Sequence, residues 1–438
     1  MVFSERRYGV KAAFYTLGCK VNQYETQAMM KQMAAAGYEV EEHAGGAADV
    51  LVINSCTVTG ESDRKLRQLL RRLRREHPAA VIVLTGCMPQ AFPDKAAELA
   101  DADIVLGNAQ RSAVAAHVEA FLVRHERLVD IPHHAAAYER LSVDDFQGRT
   151  RAFVKIEDGC NRFCSYCIIP YARGRVRSRP LEELREEAAA LAGRGFREVV
   201  LVGINLTAYG QDTGADIADA VNAAAEPAGI RRVRLGSLEP DHLTDALIAR
   251  LAAQPKLCPQ FHISLQSGCD ATLRRMNRHY SSAQYADLCA RLRAAFPGCA
   301  LTTDVMVGFP GEDEDEFAQS LAFVQAVGFA KVHIFAYSRR PGTPAAAAPG
   351  QVTAAEKSVR SRRMAAVCGT SREAYIADKC GTLAEVLLET RGEDGRLEGY
   401  TPDYLPVFVE ADAGEPGELI TVRLTAPHGD GCLGEAVR

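Results

Sequence analysis

Phe153-Val154-Lys155-Ile156-Glu157-Asp158-Gly159-Cys160-Asn161-Arg162-Phe163-Cys164-Ser165-Tyr166-Cys167 opens as an apolar strand and runs into a loop carrying three cysteines. The spacing of Cys160, Cys164 and Cys167 is Cys-x3-Cys-x2-Cys. Three thiolates this close converge on one face of an iron-sulfur cube and leave its fourth iron without a protein ligand, open to chemistry. Structural zinc is the weaker reading, because it takes four closed ligands and usually pairs one Cys-x2-Cys with another, which this segment lacks.

Downstream of this loop, Glu198 to Asn205, Arg232 to Glu239, Gln260 to Gln266, Leu301 to Val307 and Lys331 to Tyr337 are strand-like runs separated by helical stretches. Together with the run at Phe153 they make six βα units. An incomplete (βα)6 barrel over residues 149–371 is therefore expected, with its site at the carboxyl ends of the strands. Upstream, residues 1–125 alternate strands and helices in the manner of an α/β domain with a largely parallel sheet. Three of those strands end alike: Ala12 to Gly18 runs into Cys19, Val50 to Ser55 into Cys56, and Val81 to Gly86 into Cys87. Carboxyl strand ends are the edge where open α/β sheets build sites. A cysteine is also a small, commonly buried hydrophobe, but the repetition of position favours a second metal cluster. Residues 126–148 read as a polar connector. From 372 to 438 the texture changes to short strands with Gly, Pro and Asp turns (Leu383 to Glu389, Leu397 to Tyr400, Tyr404 to Glu410, Leu419 to Leu424), a small β-barrel of the OB-like class. The expected fold class is thus α/β, with a β-barrel at the carboxyl end.

The 438 residues suffice for two or three domains with substantial cores. No apolar run reaches the length of a membrane span, and Met-Val-Phe-Ser-Glu-Arg-Arg lacks the apolar stretch of a signal peptide, so no membrane partner and a cytoplasmic location are expected. In that reducing compartment thirteen cysteines favour metal ligation or thiols over disulfides. A net charge of -5 exerts no global pull on nucleic acid, so any RNA contact must come from local patches.

The Cys160 spacing, with the aromatic Tyr166 just before the third cysteine, resembles the signature of the radical S-adenosylmethionine (SAM) enzymes. With Cys19, Cys56 and Cys87 upstream and a terminal β-barrel downstream, the chain resembles the methylthiotransferase family over nearly its whole length. Thr16-Leu17-Gly18-Cys19-Lys20-Val21-Asn22-Gln23-Tyr24-Glu25-Thr26 is similar to the branch acting on threonylcarbamoyladenosine in tRNA, and Gly399-Tyr400-Thr401-Pro402-Asp403-Tyr404 to the family's TRAM domain, an RNA-binding barrel. The resemblance implies two 4Fe-4S clusters. One, on Cys160, Cys164 and Cys167, binds and cleaves SAM; the other, on Cys19, Cys56 and Cys87, offers an open iron to sulfur. One SAM then supplies a methyl group and a second the radical that removes hydrogen from C2 of adenine at position 37, beside the anticodon. The implied partners are a tRNA anticodon stem-loop, an external electron donor and a sulfur source. Isopentenyladenosine in tRNA or a ribosomal-protein aspartate are rival substrates, and a non-catalytic iron-sulfur RNA-binding protein is the reading from another class.

By the same resemblance Gly203 and Asn205, at the end of the second barrel strand, lie where related enzymes contact the SAM amino group. Ser264 and Gln266 end the fourth strand, in reach of ribose or carboxylate, with Ser237 and Glu239 placed similarly on the third; strand ends are also where polar residues simply meet solvent. Arg173, Arg175, Arg177 and Arg179 alternate after the cluster loop, so an extended chain projects them to one side, toward SAM carboxylate, RNA phosphate or bare solvent. Leu66, Leu69, Leu70 and Leu73 form a helical core stripe that leaves Arg64, Lys65, Arg67, Arg71, Arg72, Arg74 and Arg75 outside it, as a solvated face or a grip on an anticodon stem. From residue 372 onward six basic residues face fourteen acidic ones, a poor match to RNA unless Tyr400, Tyr404 or Phe408 stack on bases.

Overall fold

The computed structural model describes residues 9–43, 45–143, 146 and 149–437. It divides into two compact units. The first gathers residues up to 143 with 157–179 and 338–346; the second comprises 144–156, 180–337 and 347–438.

In the first unit β1 (Lys11–Thr16), β2 (Glu39–Glu42), β3 (Val50–Ser55), β4 (Val81–Gly86), β5 (Ile104–Leu106) and β6 (Leu128–Asp130) form one sheet in the order β2-β1-β3-β4-β5-β6. Every pairing is parallel. β3 and β4 are apolar except at Asn54, Ser55 and Thr85 and are buried throughout, because helices cover both faces. Those crossovers are α1 (Lys20–Ala35), α2 (Gly60–Glu76), α3 (Cys87–Ala91), α4 (Pro93–Ala97) and α5 (Val114–Arg124). Met29, Met30 and Met33 of α1 and Val114 and Val118 of α5 pack on Phe14, Val52 and Val83. Leu66, Leu70 and Leu73 of α2, with Met88 and Ala96, fill the other face against Tyr15, Ile53 and Leu84. The order reverses at β1, so the ends of β1 and β3 flank a topological switch point, where such sheets bind ligands. Strand β6 lies among residues expected to form only a connector; short and half-exposed, it carries little apolar pattern.

β7 (Arg151–Lys155) opens the parallel run of the second unit. Directly after it, β8 (Glu157–Asp158) pairs antiparallel with β9 (Arg177–Ser178) in the first unit, and the enclosed loop contains α6 (Ile169–Arg173). Gly159 leaves this ribbon at φ +93°, where a Cβ would stand 1.9 Å from the Arg175 carbonyl oxygen, so only glycine fits.

The second unit continues with β10 (Glu198–Val202), β11 (Arg232–Leu235), β12 (Ser237–Leu238), β13 (Gln260–Ile263), β14 (Ala300–Val307) and β15 (Lys331–Ala336). The strands pair in parallel as β11-β10-β7 and β12-β13-β14-β15. This is the expected incomplete (βα)6 barrel, except that the third run breaks in two at Gly236, whose N–H donates to the Leu201 carbonyl. The acidic stretch after Pro310 caps the next helix through Asp313, while Glu312 is buried and bonds Arg360. A helix over Ala354–Lys379, opened by a Thr353–Glu356 capping box, leads out of the barrel.

β16 (Leu383–Arg391), β17 (Leu397–Tyr400), β18 (Pro406–Val409), β19 (Leu419–His428) and β20 (Gly431–Ala436) close a five-stranded barrel in the order β16-β17-β18-β20-β19. The sequence expectation had four strands; β20, with two glycines in six residues, lacks β-branched side chains and was not among them. Glu198 on β10 is completely buried and bonded by Arg234 at 2.7 Å. Burial pushes its carboxyl up, but Arg234, Arg151 and Arg232 outweigh that and hold it below the ordinary carboxylate range. The same arginines reach the terminal barrel: Arg234 donates to the Pro402 carbonyl and Arg232 to that of Tyr400. Arg151 lies over both Tyr400 and Tyr404, which stack on each other at 4.9 Å, and Arg234 covers Tyr404 at 4.6 Å. These two tyrosines, which would have to stack on bases if this acidic barrel bound RNA, lie under guanidinium groups from β7 and β11. Phe408 remains half-buried, edge-on to His428.

Replacing Arg234 with alanine leaves Glu198 short of its nearest counter-charge and is expected to cost about 3–5 kcal/mol of unfolding free energy. Urea unfolding followed by circular dichroism reads this, since the chain has no tryptophan; a loss under about 1 kcal/mol would contradict the role assigned to this ion pair. Gly159→Ala is expected to lose about 1–3 kcal/mol by overpacking against Arg175, and a neutral effect in the same assay would sink that account.

Candidate functional site

Three thiols meet at the carboxyl edge of the first sheet. Cys19 is the exposed N-cap of α1, Cys56 follows β3 directly and is buried, and Cys87, also buried, begins α3. Because β1, β3 and β4 are neighbours in the sheet, their ends bring the three residues together; Cys56 and Cys87 both feel Cys19 electrostatically, and Cys87 also feels Cys56. Asn22 fastens the strand ends, its Nδ2 donating to the carbonyls of Leu17 and Ser55, each just upstream of a cysteine. The Cys56 Sγ accepts from the Val58 N–H at 3.5 Å. Burial pushes Cys87 up to about 12 and Cys56 upward, so as bare thiols both stay protonated at neutral pH. A metal bound here would supply the positive charge that replaces those protons.

Beside them lies a buried ionic network that sequence reading missed. Arg173 ends α6 with no exposed surface; its Nε donates to Cys87 Sγ at 3.3 Å and its Nη2 to Asn22 Oδ1 at 2.7 Å. The guanidinium also grips both carboxylate oxygens of the equally buried Glu25 and reaches Asp158 Oδ1 at 3.3 Å. Arg111 adds a second guanidinium, 2.9 Å from Glu25 and 2.8 Å from Glu139. Burial works against the charge on Arg173, but Cys87, Glu25 and Asp158 outweigh it and raise its pKa. The row expected from alternating arginines is not formed, because the chain passes from helix to ribbon between Arg173 and Arg177. Arg177 turns to Asp158, Arg179 to the Tyr24 hydroxyl, and Arg175 alone of the four is exposed, covering the Phe163 ring.

Cys160, Cys164 and Cys167 lie on the loop between β8 and α6. The Cys160 N–H donates to the Gly174 carbonyl, and the Cys167 N–H to that of Cys164, closing a turn. Cys164 is buried while Cys160, Cys167 and Tyr166 are half-buried. No disulfide links any of the thirteen cysteines, all of which are described. Among the described residues no three His, Cys, Asp or Glu side chains converge as closely as a single metal ion requires. Each triad supplies three cysteine thiols, the donor type that iron-sulfur clusters take.

Gly203 and Asn205 follow β10, and Ser264 and Gln266 follow β13, all at carboxyl strand ends of the second unit. Asn205 Oδ1 accepts from the Thr207 hydroxyl at 2.9 Å. The Ser264 carbonyl is held by Tyr280 and Arg278, and Arg278 also binds Glu239. Gln266 sits at φ +69°, a conformation costly for a non-glycine residue and concentrated at functional sites. His262 was not anticipated from sequence. On β13, its ring bonds Thr302 at 3.0 Å and approaches Asp304 at 3.3 Å, both on β14. The available signal was alternation, since Phe261 and Ile263 on either side are fully buried.

Two family models match the chain. The Radical SAM superfamily model matches residues 154–324, and that of the Uncharacterized protein family UPF0004 matches residues 11–107. The threonylcarbamoyladenosine tRNA methylthiotransferase MtaB of Bacillus subtilis is 37% identical over 94% of this chain and 93% of its own length. Its namesake from Thermotoga maritima is 37% identical over 95% of each. The tRNA-2-methylthio-N(6)-dimethylallyladenosine synthase of Acidothermus cellulolyticus is 35% identical over 94% of this chain and 86% of its own. In three dimensions the radical SAM methyltransferase TsrM from Kitasatospora setae aligns with TM-score 0.55 and 14% identity, covering 77% of this chain and 74% of that one, a likeness of fold. On full-length similarity to enzymes of both tRNA branches, the chain belongs to the methylthiotransferase family of radical SAM enzymes.

Proposed function

We propose that this protein converts N6-threonylcarbamoyladenosine at position 37 of tRNA, beside the anticodon, to its 2-methylthio derivative, replacing C–H at C2 with C–SCH3. The observation that carries this reading is the presence of two separate cysteine triads in one chain, Cys160, Cys164 and Cys167 on the loop after β8 and Cys19, Cys56 and Cys87 at the carboxyl edge of the first sheet. A C–H bond on an aromatic ring has no acidity for a base to exploit, and the reaction needs both a radical source and a sulfur carrier. With SAM and two 4Fe-4S clusters bound, the cofactors supply that radical and the methylthio group. The choice of nucleoside rests on the names of the 37% identical relatives.

The chain's own part is to hold and exclude. Cys160, Cys164 and Cys167 hold the SAM-binding cluster, Tyr166 adjoins Cys167 in the chain, and Gly203, Asn205, Ser264 and Gln266 contact SAM. Cys19, Cys56 and Cys87 hold the cluster that takes up sulfur. The anticodon stem lies along α2, where Arg64 and Arg72 pair with Glu61 and Glu76, Arg74 is tied to Asp103, and Lys65, Arg67, Arg71 and Arg75 are exposed. An external reductant supplies electrons and a separate sulfur donor replenishes the carrier. The work is done in the cytoplasm; among the described residues no helix is long and apolar enough to cross a membrane.

In cells deprived of this protein, mass spectrometry of tRNA nucleosides is expected to show threonylcarbamoyladenosine without its 2-methylthio form, and restoring the gene is expected to bring that form back. Restoration of the 2-methylthio derivative of isopentenyladenosine instead would reassign the substrate. No change in any tRNA nucleoside would point to the ribosomal-protein aspartate or to a non-catalytic role.

A further inference from the structure

Arg173 has no exposed surface through which to meet SAM, tRNA or solvent, yet it touches the surroundings of the upstream triad at two points. It donates to Cys87 Sγ directly, and it shares Asn22 Oδ1 with the Cys19 thiol, which lies 3.7 Å from that oxygen. A fully buried arginine normally spends all its donors on carboxylates and carbonyls; this one spends Nε on a cysteine sulfur. Its partner Glu25 is equally buried and lies one turn along α1 from Asn22. The two groups act on Cys87 with opposite sign, the guanidinium favouring the thiolate and the carboxylate opposing it.

We propose that the buried Arg173–Glu25 pair sets the reduction potential of the cluster held by Cys19, Cys56 and Cys87, with Arg173 raising it and Glu25 lowering it. This rests on the reading that those three cysteines hold a cluster. The physics is charge bookkeeping. Reduction adds an electron to a group already ligated by thiolates, so a nearby positive charge and an N–H donated to sulfur stabilise the reduced form, and a nearby carboxylate destabilises it. In an interior of low effective dielectric neither effect is screened as it would be in water. Arg173 is thus a positioning residue: it acts through the ligand Cys87 and contacts no substrate.

The test uses the full chain with Cys160, Cys164 and Cys167 replaced by alanine, reconstituted without oxygen, so that only the upstream cluster reports. Iron content and an EPR-monitored redox titration are compared for that parent and for Arg173→Gln, Arg173→Lys and Glu25→Gln in it, with thermal unfolding of each. Arg173→Gln is expected to lower the midpoint potential, Glu25→Gln to raise it, and Arg173→Lys, which keeps the charge but loses the fork, to lower it less than glutamine does. Both glutamine variants break the same ion pair, so a purely structural role predicts shifts of one sign or none, and either result overturns the inference. Should Arg173→Gln fail to fold, Arg173→Lys and Glu25→Gln still have to move apart. Absence of iron in the parent would instead defeat the assignment of Cys19, Cys56 and Cys87 as cluster ligands.

Discussion

Two charges with no access to water, Arg173 and Glu25, cannot be separated without leaving an uncompensated ion in the first unit's interior. That constraint ties together segments 148 residues apart. Glu25 belongs to the helix that starts at Cys19, and Arg173 ends the short helix that follows Cys167. The pair therefore fixes the loop bearing one cysteine triad onto the helix bearing part of the other. Asp158, two residues before Cys160, and Arg111 extend the compensation, so four charged groups from four segments share one buried site. Removing any member is costly, which is what a site that must hold sulfur ligands in place requires.

The features legible from sequence were those with a period or a spacing. Cysteines ending three apolar strands, and Cys-x3-Cys-x2-Cys after a fourth, need no tertiary knowledge to be seen. The barrel strands were visible as regular apolar runs, and the doubly wound first sheet as alternation. What escaped depended on distant partners. Alternating Arg173 to Arg179 has the period of an extended strand, yet Glu25, Asn22 and Tyr24 on α1 draw two of the four inward. Tyr400 and Tyr404 have the composition of a base-stacking platform, but only the fold shows that Arg151 and Arg234 already cover them. Strand β6 was missed because it is only three residues long, and β20 because its two glycines and lack of β-branched side chains hide the strand pattern; both take their places from neighbours in the sheet.

The acidic terminal barrel takes on a different meaning from this arrangement. Its tyrosines and the carbonyls of Tyr400, Thr401 and Pro402 serve Arg151, Arg232 and Arg234, which in turn compensate Glu198. The two barrels of the second unit are joined by desolvated charge and stacking, so part of the terminal barrel is committed to the unit's own cohesion. What it still presents to solvent is rich in carboxylates, and the exposed basic face of α2 is the better electrostatic match to a phosphate backbone.

The central claim is that six cysteines form two independent centres. Iron analysis with Mössbauer spectroscopy on the anaerobically reconstituted chain tests it most directly, comparing the unaltered protein with a Cys19→Ala, Cys56→Ala, Cys87→Ala variant and a Cys160→Ala, Cys164→Ala, Cys167→Ala variant. The account predicts that each triple substitution removes about half of the iron and leaves the other half as a 4Fe-4S signal. Loss of all iron on altering one triad, or no loss on altering the other, would contradict it.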